Sequence, residues 1–273
     1  MDPPKRILDC GPADFASMGG ADLLLSIRRS EGRTVLCEVL WPAPPRVDGT
    51  TNPELAVAFG ADLVLLNKFD AAEGLPGLKE RLGRPVGVNV EPSEAVPTHR
   101  RASRENLERL EAVDFLVVTA NPDAEVDLEQ MAGAAALARE VLPGVPVFVG
   151  KMHGSGGRGL PSAGEVSRLA AASDAVLLPA PGTVPGSRES VVAELVGAAQ
   201  GAGALAVATV GTSQEGADAE TVRELALAAK RAGADVLHLG DADHSGMAEP
   251  MNVLAASIAI RGRRHAYRRM ALR

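Results

Sequence analysis

Seven polar residues of this 273-residue chain fall at matching places in a repeated pattern of short apolar runs: Glu38, Asn67, Asn89, Glu91, Thr119, Thr209 and His238. Carboxylates and an imidazole among amides and hydroxyls are the residue types of general acid–base catalysis, in which a positioned side chain moves a proton to or from a reacting group. Glu38 and Glu91 are read as acid–base groups; with Asp70 and Asp241 they are also hard oxygen ligands suited to Mg²⁺. His238 is either a proton donor or orienter, or a hydrogen-bonded core imidazole. Lys151 brings a second chemistry, because an amine stripped of solvent in an apolar mouth becomes a Schiff-base nucleophile or a general base. It stands one residue out of step with Glu38 and Asn89, so it joins them only if its strand ends at Gly150.

Loops of small residues point to anion binding. Gly211-Thr212-Ser213-Gln214-Glu215-Gly216 and Gly240-Asp241-Ala242-Asp243-His244-Ser245-Gly246 offer backbone N–H groups of the kind that cradle a phosphate, with Gly182-Thr183-Val184-Pro185-Gly186-Ser187 as a third candidate. Glu215, Asp241 and Asp243 oppose an anion unless they point away or hold a cation. The expected substrate-binding set is Trp41, Asn67, Asn89, Thr119, His153, Thr209, Gly211, Thr212, Ser213, Gly240 and Asp241. The glycine-rich run 151–159 reads as a mobile lid or as a plain connection. His99, Arg100 and Arg101, in the long loop 92–106, either fold over a charged substrate or stay solvated. Zinc-type His or Cys spacing and a serine nucleophile elbow are missing from the sequence.

These residues need a frame that converges them. Eight β-rich runs alternate with helix-period segments, at 34–40, 62–67, 85–91, 114–119, 146–150, 174–178, 205–210 and 235–240. Their starts lie 23 to 32 residues apart, about one βα unit each. The even runs open on Gly60-Ala61-Asp62, Ala112-Val113-Asp114, Ala172-Ser173-Asp174 and Gly233-Ala234-Asp235, and the odd ones on a different glycine-led tag. Two strand classes alternating four times suit a single (β/α)8 TIM barrel, whose interior layers draw on alternate strands and whose chemistry sits at the strands' carboxyl ends. A doubly wound sheet is the runner-up, but Trp41-Pro42-Ala43-Pro44-Pro45 stands where its glycine-rich turn belongs. Residues 1–33 form an extension with an extra helix over 13–31 that caps the barrel's bottom, and 263–273 a basic tail read as interface or solvated; the whole of 1–273 makes one barrel domain.

Composition sets outer bounds. With 46% apolar and 23% charged residues the chain is no disordered or fibrous sequence. Net charge −7 and 3% aromatic residues argue against nucleic-acid partners, which need basic surfaces or stacking platforms. So few rings leave the core to Ala, Val and Leu, with Trp41 either the aromatic wall of the pocket or packed under the proline loop beside it. Two cysteines, Cys10 and Cys37, lack metal-type spacing, and the chain shows no signal segment and no apolar run of membrane-spanning length. A soluble cytoplasmic protein is expected, as a monomer or a homo-oligomer, with a small anionic metabolite as its partner.

The barrel count and the Gly-Thr-Ser and Gly-Asp strand ends resemble the phosphate-binding barrels of the ribulose-phosphate-binding type over residues 34–262. The first third, Gly32-Arg33-Thr34-Val35-Leu36 followed by Asn52-Pro53-Glu54-Leu55-Ala56-Val57-Ala58-Phe59-Gly60-Ala61-Asp62, is similar to the opening of the phosphoenolpyruvate mutase and isocitrate lyase superfamily. That family's Asp-x-Asp pair after strand three helps to hold Mg²⁺; here the stretch is Asn89-Val90-Glu91, a departure at the metal site. The whole chain, notably 211–218 and 260–265, looks like a bacterial family of single barrels carrying phosphonomutase-like or dehalogenase-like labels. The resulting expectation is lyase, aldolase or isomerase chemistry on a small anionic, phosphorylated metabolite. The alternatives are a Mg²⁺-dependent mutase-like lyase and a non-catalytic barrel that binds a metabolite or partner.

Overall fold

The computed structural model describes residues 3–75, 77–110, 112–120, 126–151, 159–242 and 245–272. Eight parallel strands close on themselves in chain order, which excludes the open doubly wound sheet. They are β1 (Thr34–Leu40), β2 (Leu63–Asn67), β3 (Val86–Val90), β4 (Phe115–Ala120), β5 (Val147–Lys151), β6 (Ala175–Pro179), β7 (Leu205–Val210) and β8 (Val236–Leu239). The helices are α1 (Pro12–Ala16), α2 (Gly20–Arg28), α3 (Asn52–Ala58), α4 (Leu78–Leu82), α5 (Arg104–Glu108), α6 (Leu128–Val141), α7 (Ala163–Ala172), α8 (Glu189–Gly201), α9 (Ala219–Arg231) and α10 (Pro250–Ala271). Helix starts are written in the sequence: Thr51, Asp127 and Ser162 each accept from the N–H three residues on, while Glu54, Gln130 and Glu165 reach back.

Side chains alternate across each strand, so one parity fills the barrel and the other faces the helices. Leu36, Leu65, Phe115, Phe148, Val207 and Val236 belong to the inner set. The interior is close-packed in a way that fixes two glycines. A Cβ on Gly87 would fall within the Phe115 ring, which stacks on Phe148 at 5.3 Å, and one on Gly150 would overlap Leu177. The bottom is plugged by the amino-terminal segment, whose Ile7, Cys10, Phe15, Leu23 and Ile27 join the inner cluster. The single helix expected over 13–31 is two, broken at residues 17–19, because Gly20 passes against the Gly144 carbonyl and Pro146, where no side chain fits.

The fourfold Asp tag has a physical cause. Asp62, Asp114, Asp174 and Asp235 each accept the backbone N–H of an odd-strand residue, Val35, Val86, Val147 and Ala206, all at 2.8 Å. Each Asp also donates its own N–H to that same residue's carbonyl. Every even strand is thereby stapled to the odd strand before it. A helix side chain then meets each carboxylate: Arg261 and Arg269 at Asp62, Lys79 at Asp114, Arg139 at Asp174 and Gln200 at Asp235.

The basic segment after residue 262 is no solvated tail. It continues as helix beyond a break at Gly262 (φ 76°), and Arg269 is buried. Arg269 donates to the carbonyls of Ile7 and Cys10 and pairs with Asp62, because the plug leaves those groups without water at the barrel's bottom.

Candidate functional site

At the carboxyl ends of the strands the inner parity turns polar, and a cavity of about 110 Å³ opens there, room for several water-sized groups or a small metabolite. Two arcs of hydrogen bonds run around its mouth. The first starts on β7, where Thr209 Oγ1 lies 3.2 Å from His238 Nδ1. His238, on β8 and 3% exposed, puts its Nε2 3.0 Å from Glu38 Oε2 on β1. That approach is ion-pair contact rather than an aligned hydrogen bond, leaving Nε2 a partner short. The second arc runs from Thr119 Oγ1, donating to Asn89 Oδ1 at 2.7 Å, through Asn89 Nδ2 to Asn67 Oδ1 at 3.2 Å. It ends with Asn67 Nδ2 on Asp241 Oδ2 at 2.8 Å. Neighbouring strands thus fix one another's amides, and the side chains meet solvent already oriented.

Glu38, Asn67, Thr119, Thr209, His238 and Asp241 border the cavity, as do Gly211, Thr212 and Gly240. Lys151 borders it too, although β5 continues through it and its register pairs it with Ala120. Its ammonium donates to the Val126 carbonyl at 2.9 Å. Other expected members lie outside the wall. Asn89 stands behind it and bridges Asn67 and Thr119. Glu91 is buried beyond the end of β3, exchanging backbone hydrogen bonds with Arg100 and Ala102 and lying 3.9 Å from the Arg100 guanidinium. Strand parity fails for Glu91 because the chain leaves the barrel at Val90. Asp70 accepts the N–H of Ala72 in its own turn. Trp41 donates from Nε1 to Glu73 at 2.8 Å and meets Phe69 edge-on, so it braces the loops after β1 and β2 instead of walling the pocket. Ser213 is exposed. His153 and the lid expected over 151–159 fall, apart from Lys151 and Gly159, outside the described residues, as do Asp243 and His244.

The Mg²⁺ set is not assembled. Glu38 faces His238, Asp241 takes Asn67, and Glu91 and Asp70 are engaged elsewhere. Among the described residues no three His, Cys, Asp or Glu side chains are grouped to hold a metal, so the donor set does not fit the ion that the phosphoenolpyruvate mutase likeness implies.

Several N–H groups expected to cradle an anion are committed inside the protein. Ser187 Oγ accepts from Gly182 and Val184 in the loop after β6, and after β8 the N–H of Gly240 donates to the Val210 carbonyl and that of Ala242 to Glu215. Gly211, Thr212 and Gly240 remain at the rim. Thr212 and Ser213 hold left-handed backbone, at φ 59° and 69°, as does Ala242 after β8 at 53°. Such conformations in residues other than glycine cost free energy and gather at functional sites.

One lining residue carries chemistry that the pattern of strand ends did not single out. Glu215, on the turn Gln214–Gly216 after β7, brings a buried carboxyl to the cavity. Burial pushes its pKa above the ordinary carboxylate value, and the nearby Asp241 adds to the rise. No strand periodicity reaches a loop residue; the only sequence signal was an acid in a glycine-flanked loop at the right end of the barrel.

Comparison with known proteins places the architecture. Residues 8–273 match a family model described as a domain of unknown function, DUF7916. No curated protein matches the chain. Among solved structures, a Schiff-base-forming fructose-1,6-bisphosphate aldolase is similar at 15% identity and a TM-score of 0.59, covering 88% of this chain and 98% of that one. The deoxyribose phosphate aldolase of Aeropyrum pernix matches at 20% identity and a TM-score of 0.51, covering 86% and 93%. The thiamine phosphate pyrophosphorylase of Pyrococcus furiosus matches at 12% and 0.52, covering 84% and 96%. At these identities the shared property is the barrel; nothing in them singles out the phosphoenolpyruvate mutase superfamily.

Proposed function

The chain belongs to the DUF7916 family, and we propose that it is an enzyme of the lyase or aldolase kind that moves protons on a small hydroxylated carbonyl metabolite at the barrel mouth. The observation that carries this reading is the Thr209–His238–Glu38 arc. An imidazole held at Nδ1 by a hydroxyl, with Nε2 beside a carboxylate, is a proton-transfer pair pointing at a cavity. A purely binding barrel has no need to bury an imidazole against a carboxylate at its mouth. His238 and Glu38 take the proton from a substrate hydroxyl. The Asn67–Asp241 arm orients neighbouring hydroxyls, and the rim at Gly211 and Thr212 receives the substrate's anionic, phosphate-bearing end. An isomerase would use the same proton transfers without breaking a carbon–carbon bond.

Fructose bisphosphate, deoxyribose phosphate, dihydroxyacetone phosphate and dihydroxyacetone make a direct test panel, followed by proton NMR in D₂O for cleavage or for exchange beside the carbonyl. Glu38→Gln and His238→Gln are expected to lower turnover by about 10²- to 10⁴-fold. Wild-type protein inert toward the whole panel would sink the reading. An imine route through Lys151 is the second reading, favoured by that residue's place on the cavity wall. It requires the ammonium to leave the Val126 carbonyl, and borohydride must then trap an adduct on Lys151 with any compound that turns over.

A further inference from the structure

Glu215 is 5% exposed and is held from two elements, α10 and the loop after β8. Asn252 of α10, itself buried, donates from Nδ2 to the Glu215 carbonyl at 3.0 Å and to the Ala217 carbonyl at 2.7 Å, which pins the turn. The Ala242 N–H in the loop after β8 donates to Oε1 at 3.1 Å, and Ala242 adopts its left-handed backbone in presenting it. Gly240 completes the seat: a Cβ on this residue, next on the inner face after His238, would stand 3.4 Å from both Oε1 and the carboxyl carbon. The carboxyl thus packs closely against Gly240, at the edge of ordinary van der Waals contact with a Cβ there. With one oxygen so placed, the other is left over, for Oε2 is buried and has no hydrogen-bond partner among the described residues. An unsatisfied buried polar group costs about 1–3 kcal/mol. Stability alone gives no reason to pin this turn from a helix, present a left-handed N–H to one oxygen of its carboxyl and leave the other oxygen without a partner among the described residues.

We propose that Glu215 is a further catalytic residue, the proton donor of the site, whose carboxyl at the cavity wall delivers a proton to the substrate oxygen that becomes negative as the carbon–carbon bond breaks. The proposal rests on the lyase reading and divides its labour. The His238–Glu38 pair removes the proton of the substrate's β-hydroxyl, and that carbon leaves as an aldehyde. The electron pair of the broken bond passes to the carbonyl, whose oxygen takes the Glu215 proton, so the second fragment departs as an enol and becomes the ketone in water. Glu215 is then a carboxylate and His238 protonated, and the proton returns to Glu215 through solvent before the next turnover.

The surroundings shift Glu215 toward its protonated form. Burial has the largest influence and raises the pKa. Asp241 raises it further, while backbone N–H donation, including that from Ala242, and the neighbouring His238 offset part of the rise. A neutral Glu215 also removes one of the negative charges that would repel an anionic substrate from the rim.

Wild type, Glu215→Gln, Glu215→Asp and Glu38→Gln are compared on the same substrate panel, and Glu215 is titrated by ¹³C NMR of its carboxyl, assigned by its loss in Glu215→Gln. Glutamine keeps the shape and the Ala242 contact, so the fold is retained while the proton is lost. We expect a carboxyl titrating above the ordinary glutamate range and a kcat about 10²- to 10⁴-fold lower in Glu215→Gln, with KM little changed. Glu215→Asp is expected to restore part of the rate. Full turnover by Glu215→Gln beside an active wild type overturns the proposal and leaves the lyase reading standing, and so does a carboxyl that titrates in the ordinary range. A wild type inert toward every compound overturns both.

Discussion

Glu38 and Glu215 stand on opposite sides of what a sequence discloses about single residues. Glu38 was legible because β1 is regular, and parity counted from its first residue turns it inward beside His238. Parity misplaced Glu91 and left Lys151 on a strand side that the count assigns to the helices, since both stand where a strand is ending. Glu215 was invisible to any periodicity, and its importance comes from Ala242, Gly240 and Asn252, residues 25 or more positions away that meet only in the fold. Its environment has a measurable thermodynamic consequence. A carboxyl whose folded pKa is raised binds its proton more tightly folded than unfolded, so its contribution is complete below the unfolded value and is lost as pH rises through the folded one. Glu215→Gln cannot lose it. Its stability relative to wild type should therefore improve from pH 4 to pH 8 in urea titrations, and a difference that stays flat across that window contradicts the buried, protonated carboxyl.

Elements were the most legible scale. Eight strands could be counted because each βα unit repeats its apolar run, its cap and its tag, and the alternation of tags anticipated the alternation of strand classes around the barrel. The reason for the Asp in the even tags was not legible: it is a staple to the backbone of the preceding strand, seen only when the two strands lie side by side. The split of the amino-terminal helix was missed for a similar cause, since what stops it is the distant Gly144 carbonyl and Pro146. The inner glycines test how tightly the strands are registered. Gly150→Ala puts a methyl group into Leu177 on the neighbouring strand, with the Leu177 carbonyl 3.0 Å away, and overpacking of this kind costs about 1–3 kcal/mol. Gly150→Ala combined with Leu177→Ala should recover part of that loss relative to Leu177→Ala alone. Equal destabilisation by Gly150→Ala in both backgrounds, read from urea midpoints, would show that the two residues do not share the space.

At the scale of the whole molecule, the mouth and the bottom of the barrel divide the work. The mouth keeps its polar groups oriented toward a cavity, and the bottom joins buried arginines to Asp62 and to backbone carbonyls. There the chain's two ends are tied together: α10 sends Arg261 and Arg269 to Asp62, and Arg269 reaches on to Ile7 and Cys10 of the plug. Arg84 donates to the carbonyls of Arg269 and Leu272, and burial together with the Arg269 charge lowers its pKa to about 10. Phe15 lies between the Arg84 and Arg269 guanidiniums, each 5.7 Å from its ring centre. Three buried cations around one carboxylate are costly to desolvate, so the cluster is better understood as a latch with many hydrogen bonds than as a favourable ion pair. Breaking it from one side leaves buried charge and carbonyls unpaired. Arg269→Ala should cost about 3–5 kcal/mol, as removal of one partner from a buried pair does elsewhere. Asp62→Asn removes the charge but leaves an oxygen to accept from the Val35 N–H, and the two changes act on one network. A double-mutant cycle should therefore show coupling of about 0.5–3 kcal/mol, the range for groups in one network. Strictly additive losses would mean that Arg269 holds the plug through its carbonyl contacts alone and that Asp62 serves only to staple β2 to β1.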